Sequence, residues 1–97
     1  MEIRVGVFLI HQPGDSVGVA AKDLANGSQV VGRYRDADDT VHITALDDIP
    51  LGHKVAITDL AEGDEVIEYG VAIGRATVSI EPGAHVHVHN LKGQRWA

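Results

Sequence analysis

Cysteine is absent from this 97-residue chain, which excludes disulfide staples and thiolate metal sites. Aromatic residues make up only 4% of it, while hydrophobic residues reach 44%. The core must therefore come from Val, Ile, Leu and Ala, a composition that suits short β-strands better than a helical bundle. No apolar run approaches the roughly 18–20 residues that a membrane span requires. The N-terminus shows no basic region followed by an uninterrupted apolar stretch, so no signal peptide is expected and the cytoplasm is the expected location. Cations are scarce: 8 Lys and Arg stand against 14 Asp and Glu, for a formal net charge of −6. Without a basic stripe to displace counterions, nucleic acid is not an expected partner. An anionic ligand would need a local cationic pocket working against the global field.

The length fits one domain, residues 1–97. A chain of this size buries roughly 60–65% of the surface its unfolded form exposes, so the core is modest. Chemistry is concentrated in Gly83-Ala84-His85-Val86-His87-Val88-His89-Asn90-Leu91, where three of the six histidines fall. Their alternation predicts a strand with His85, His87 and His89 on one face and Val86 and Val88 on the other. Three histidines along a regular strand span about 13 Å, too far for a single ion. At most two of them could share one metal at roughly 2.0–2.1 Å, with a further ligand such as His11 or an Asp. Metal ligation, anion or substrate binding, and a solvated or subunit-facing strand all remain open for this face. A homo-oligomer with the histidine strand as its interface is one form of the last reading.

A hidden repeat organises the rest. Asp23-Leu24-Ala25-Asn26-Gly27-Ser28-Gln29-Val30 sets the pattern of Asp, aliphatic, two residues, Gly, two residues, Val. It recurs from Asp48 to Val55, from Asp59 to Val66 and, with Ser for Asp, from Ser79 to Val86. Val19-Ala20 and Val55-Ala56 precede the first and third copies alike. The Asp or Ser is suited to start a single helical or 3-10 turn, the aliphatic to plug the core, and the Gly to end the turn left-handed. The copies start 25, 11 and 20 residues apart, which excludes a solenoid of fixed period. The pattern predicts a compact β-domain with four similar corners and no long helix.

Strands are expected over Met1–His11, with Ile3, Val5, Val7 and Leu9 alternating with Glu2, Arg4, Gly6 and Phe8, and over Val17–Ala21. Further strands fit 29–35, 40–45, 54–58, 65–68 and 71–78. Gln12-Pro13-Gly14-Asp15 has turn chemistry, with Asp15 expected to bond its own backbone. Asp36-Ala37-Asp38-Asp39 reads as a solvated acidic hairpin, because it lacks the Gly and terminal Glu of a calcium loop. His42 is expected at the surface. Trp96 is expected to cover the core locally or to dock on another chain. His53-Lys54, behind Gly52, stays solvated or supplies a local positive charge for a carboxylate. No phosphate loop, nucleophile elbow or Ser-His-Asp pattern is present, so catalysis by this chain alone is poorly supported.

Together, His11, Pro13 and Asp15; Ile49-Pro50-Leu51-Gly52-His53-Lys54-Val55-Ala56; Tyr69-Gly70 with Ile73-Gly74-Arg75-Ala76; and His85-Val86-His87-Val88-His89-Asn90-Leu91 resemble the N-terminal domain of the altronate and galactarate dehydratase family. The resemblance covers almost the whole chain. It implies a SAF domain with a mostly-β, β-clip fold. In many members this domain is fused to a large catalytic domain; in others, such as the sulfolactate sulfo-lyases, it is a separate small subunit, the form this length resembles. The implied activity is that of a lyase on sugar acids or related 2-hydroxy acids, inactive without its large subunit. The implied cofactor is a divalent metal such as iron, shared with or held by the partner. The implied substrate-binding residues are His11, His53, Lys54, His87, His89 and Asn90, and the candidate metal ligands are His85, His87 and His89. Gln12 inside a usual His-Pro pair, Ser16 for a common Asn, and Glu68 for a frequent Lys depart from the family pattern; the last two change polarity beside the site. A stand-alone carbohydrate- or anion-binding module without catalysis is the alternative.

Overall fold

Short segments rich in β-branched residues all become strands, and none has the length or period to become a helix. The computed structural model describes residues 6–93. The strands are β1 (Gly6–Ile10), β2 (Val17–Ala20), β3 (Gln29–Tyr34), β4 (Thr40–Thr44), β5 (Lys54–Ala56), β6 (Glu65–Glu68), β7 (Val71–Ala76), β8 (His85–Val86) and β9 (Leu91–Gly93). Among the described residues there is no helix, and so none long and apolar enough to cross a membrane. Six strands form one curled sheet in the order β4-β3-β1-β2-β5-β8, and β6-β7-β9 form a second. This is the mostly-β architecture that the composition predicts, and it agrees with the SAF fold that the resemblance implies. Ile3 and Val5, and Arg95 and Trp96, lie outside the described residues.

The core divides into two clusters. Phe8, Ile10, Ala20, Leu24, Val30, Ala45, Ile49 and Val55 form the first. Val17, Ala56, Leu60, Val66, Ala76, Ile80 and Val86 form the second. In β1 the buried face is Phe8 and Ile10, whereas Leu9 is 45% exposed. The alternation was legible, but Phe8 decides its sense. Its ring covers Gly18 and Gly32, where any Cβ would strike it.

The four corners pair two by two. Leu24 and Ile49 exchange backbone hydrogen bonds of 2.8 Å in both directions, and so do Leu60 and Ile80. The exit valines Val30, Val55, Val66 and Val86 are all fully buried. Burying four such side chains contributes on the order of 1.5–3 kcal/mol each. No corner is helical. Each is a turn in which Ser28, His53, Asp64 or Ala84 donates its N–H to the carbonyl three residues back, at 2.9–3.1 Å. The third residue of each turn is a glycine with φ between +85° and +94°. That left-handed residue is what a type II turn requires and what a helix forbids. The aspartates also act differently from expectation. Asp23 Oδ1 accepts from Leu51 N–H at 2.8 Å and Asp48 Oδ1 from Asn26 N–H at 2.9 Å, so each caps the opposite corner rather than its own.

An alanine completes the repeat. Gly27, Gly52, Gly63 and Gly83 donate their N–H groups to Ala45, Ala20, Ala76 and Ala56. Each of these alanines lies three residues before an Asp or Ser corner residue, and each returns a bond to the chain just beyond the glycine. All four are buried, where a larger side chain would break the clamp.

Candidate functional site

Two of these corners bring the histidines together. His53 leaves the second corner into β5 and His85 leaves the fourth into β8. These strands pair antiparallel, Lys54 opposite Val86 and Val55 opposite His85. Extending that register by one residue sets His53 opposite His87. The rings stack with centroids 4.4 Å apart for His53–His87 and 5.1 Å for His53–His85. His53 Nδ1 and His85 Nε2 share a hydrogen bond of 2.9 Å, so at least one ring offers a bare nitrogen as acceptor.

The regular strand expected through His89 is interrupted. Only His85–Val86 is strand, and residues 87–90 form a turn. Val86 is buried as expected, but Val88 is 82% exposed. The cause is Asn90, which is buried. Its Oδ1 accepts from His87 N–H and its Nδ2 donates to the His85 carbonyl, both at 2.9 Å. Leu91 N–H then donates to the His87 carbonyl at 2.9 Å, reversing the chain into β9. Asn90, expected to bind substrate, has both ends of its amide engaged in holding this turn.

Two of the three segment histidines join one ligand group, the number that spacing allows, and the further ligand is His53 rather than His11 or an Asp. One ligand nitrogen from each of His53, His85 and His87 lies within 4.8 Å of the other two. Nitrogens about 2.0–2.1 Å from a tetrahedral ion stand about 3.4 Å apart, so ring rotations that open the 2.9 Å His53–His85 pair and draw in any wider separation would fit this set to a divalent cation. The set is all imidazole, which suits zinc, copper, iron or nickel rather than calcium. His89 lies against His85 at 5.4 Å between centroids but outside the three-nitrogen group. His42 is exposed on β4, and His11 stands elsewhere, as described below.

Burial holds the His85 pKa below 6.5, with His53, His89 and His87 adding repulsion in that order and Asp47 opposing. The Asp47 carboxylate accepts the His85 backbone N–H at 2.9 Å. A depressed pKa keeps the imidazole neutral, which is the form that binds a metal. Leu51 and Val88, both exposed, sit two residues before His53 and between His87 and His89.

His11 and Lys54 converge on Glu68. The distances are 3.9 Å from His11 Nε2 and 3.9 Å from Lys54 Nζ, with the Glu68 side chain largely buried. Glu68 therefore sits between His11 and Lys54, both expected to bind substrate. Tyr69 stacks on His11, 3.6 Å between centroids and 15° between planes. Its φ is +57°, the one non-glycine residue in the left-handed region among those described. Such a conformation costs an aromatic residue about 1–2 kcal/mol. Asp15 holds it: the buried carboxylate accepts from Tyr69 N–H and Gly70 N–H, both at 3.0 Å. The expected Asp15 bond to its own turn is replaced by this clamp. Ser16 likewise reaches across, accepting from Ile67 N–H through Oγ at 3.1 Å.

Sequence reasoning missed the joining of His53 to His85 and His87, and the role of Tyr69. The first was recoverable, since Gly52-His53-Lys54-Val55 and Gly83-Ala84-His85-Val86 are equivalent exits that need only pair antiparallel. For Tyr69 the only signal was Gly70 beside it.

Comparison with known proteins agrees with these motifs. The family model for the altronate/galactarate dehydratase SAF domain matches residues 6–94. The chain is 47% identical over 90 residues to the (2R)-sulfolactate sulfo-lyase subunit alpha of Chromohalobacter salexigens, covering 92% of this chain and 96% of that one. It is 52% identical over 54 residues to the corresponding subunit of Paracoccus pantotrophus, covering 56% of this chain and 81% of that one. It is 44% identical over 78 residues to the altronate dehydratase of Escherichia coli, covering 80% of this chain but only 14% of the relative.

Proposed function

The chain belongs to the altronate/galactarate dehydratase SAF domain family, and on that premise we propose that it is the small subunit of a sugar-acid dehydratase or related 2-hydroxy-acid lyase. One observation carries the reading. His53, His85 and His87 converge at a half-buried corner of a chain that spans nearly all of a relative named as a subunit and a small fraction of a relative named as a whole enzyme. Three imidazoles leave coordination positions open on an ion, and a 97-residue domain has no room for an enclosed active site of its own. A large catalytic subunit would complete the site.

In this reading His53, His85 and His87 hold a divalent cation, iron among the candidates, shared with the partner. Such an ion would supply Lewis-acid polarisation of a substrate oxygen. The reaction class is elimination of water or sulfite, in which a general base takes the proton α to a carboxylate. The parts this chain plays are binding and positioning. Asn90 and Asp47 fix the His85–His87 backbone, so the ring nitrogens converge before any ligand arrives. Lys54, 3.9 Å from Glu68, would supply the positive charge for a substrate carboxylate, with His11 beside it as a hydrogen-bonding group.

Co-expression with a large subunit of the same family, followed by assay on altronate, galactarate and sulfolactate, tests the reading. Turnover should require both chains and should fall at least about a hundredfold in a His85→Ala, His87→Ala double variant that still assembles. Undiminished turnover by that variant refutes the role of the cluster. Tight binding of sugar acids by the lone chain, with no gain from a partner, would make it a binding module instead.

A further inference from the structure

A second concavity lies apart from the histidine cluster. Leu9, His11, Arg33, Tyr34, Arg35 and Tyr69 line an open cavity of about 530 Å3. Its walls follow from the parallel pairing of β1 and β3, which sets Leu9 beside Arg33 and Ile10 beside Tyr34. Arg35 N–H donates to the Ile10 carbonyl at 2.9 Å, stapling the ends of the two strands together. Two arginines, two residues apart, are thus held beside His11. Among the described residues neither arginine has a carboxylate within 4 Å, and the ion pairs there run to Glu68. The chain has only 8 Lys and Arg and a formal charge of −6. Placing two of the eight with a histidine and two tyrosines on one cavity creates the local cationic pocket that an anion would need.

Tyr69 points the same way by a separate route. Glycine or asparagine would take a left-handed position at little cost, yet an aromatic occupies it, fixed by the buried Asp15 carboxylate and stacked on His11. A strained residue held by dedicated contacts marks a place where ring position matters. Here the ring forms a rigid wall of the cavity.

We propose that this cavity is an oxyanion subsite that receives the second acidic group, carboxylate or sulfonate, of a dianionic hydroxy acid. Arg33 and Arg35 bind it through their guanidinium forks, and Tyr69 with His11 walls the carbon chain. The identity of the ligand as substrate rests on the lyase-subunit reading above; the existence of the subsite does not, because it can be measured on this chain alone. The subsite would make the protein selective for acids charged at both ends over monocarboxylates.

Three 2-hydroxy acids that differ only beyond the hydroxyl-bearing carbon test this: lactate, malate and 3-sulfolactate, titrated into the isolated full chain and followed by amide shifts. Malate and 3-sulfolactate should move the amides of residues 33–35 and 69–70. Lactate should bind at least about tenfold more weakly, as loss of a charge-assisted bidentate pair predicts. Arg33→Gln with Arg35→Gln should weaken malate by a similar factor in a chain whose other amide shifts are unchanged. Arg33→Lys with Arg35→Lys should restore only part of it, since lysine keeps the charge and loses the fork. Equal affinity for lactate and malate would overturn the proposal. So would shifts confined to His53, His85 and His87, or arginine variants that bind malate within twofold of the parent, which would mean the arginines merely balance the nearby Asp38 and Asp39. None of these readouts needs a partner subunit, so failure to obtain turnover leaves the subsite result standing.

Discussion

Asn90→Ala should loosen the histidine cluster without touching a histidine. The side chain is 6% exposed and makes two hydrogen bonds of 2.9 Å, one to His87 N–H and one to the His85 carbonyl. Removing it leaves both backbone groups without that partner in a part-buried turn. At about 1–1.5 kcal/mol for each bond, the loss comes to about 2–3 kcal/mol. For a domain of this length that lowers the melting midpoint by roughly 10–20 °C. It does not unfold a protein whose whole stability is on the order of 5–15 kcal/mol. Circular dichroism melts give the first number, and cobalt titration gives the second. Cobalt affinity should fall by about tenfold, because His87 is no longer fixed against His53. Asn90→Asp keeps an acceptor for His87 but turns a second acceptor toward the His85 carbonyl, so it should rescue at most half of the stability. A melting midpoint for Asn90→Ala within about 2 °C of the parent would refute the clamp, and unchanged cobalt affinity would refute its link to the cluster.

Three further outcomes follow from the same geometry. Gly63→Ala should cost about 1–2 kcal/mol, the strain of φ +90° with open space around the new Cβ; Gly83→Ala adds a collision with the Thr44 carbonyl and should cost clearly more, with equal denaturant midpoints counting against the account. Asp15→Ala removes both acceptors that hold Tyr69 and Gly70. It should cost about 2–3 kcal/mol by urea unfolding and abolish the ring-current shift between Tyr69 and His11 in proton spectra. For His85 the folded pKa lies below the unfolded 6.5, so its contribution is fully present above 6.5 and is lost as pH falls through the lowered value. The melting midpoint should therefore drop on acidification below 6.5, and His85→Gln should flatten that drop; an unchanged slope contradicts the burial argument.

Much of the frame was legible in the sequence. Leu24, Ile49, Leu60 and Ile80 are the core plugs that the repeat predicts, and Val30, Val55, Val66 and Val86 are the buried exits. What hydrophobic spacing cannot show is which corners pair. Asp23 caps the turn at Leu51, 28 residues away, and Asp48 caps the one at Asn26; local chemistry alone read them as caps of their own turns. The alanines of the clamp escaped notice because alanine carries little signal in a hydrophobic pattern. Val88 misled for the opposite reason. It completes an alternation that Asn90 ends, and a side-chain bond to the backbone outweighed the period. The arginines of the cavity were invisible until the parallel pairing of β1 with β3 set Arg33 beside Leu9.

Cobalt titration of the lone chain tests the central claim most directly, since it asks whether three corner histidines form half of a metal site. The account predicts one Co2+ per chain, with an absorption spectrum of imidazole ligation. Affinity should fall at least about tenfold when any of His53, His85 or His87 becomes alanine, and stay unchanged for His42→Ala. Binding that survives His53→Ala, or that responds equally to His42→Ala, would contradict it.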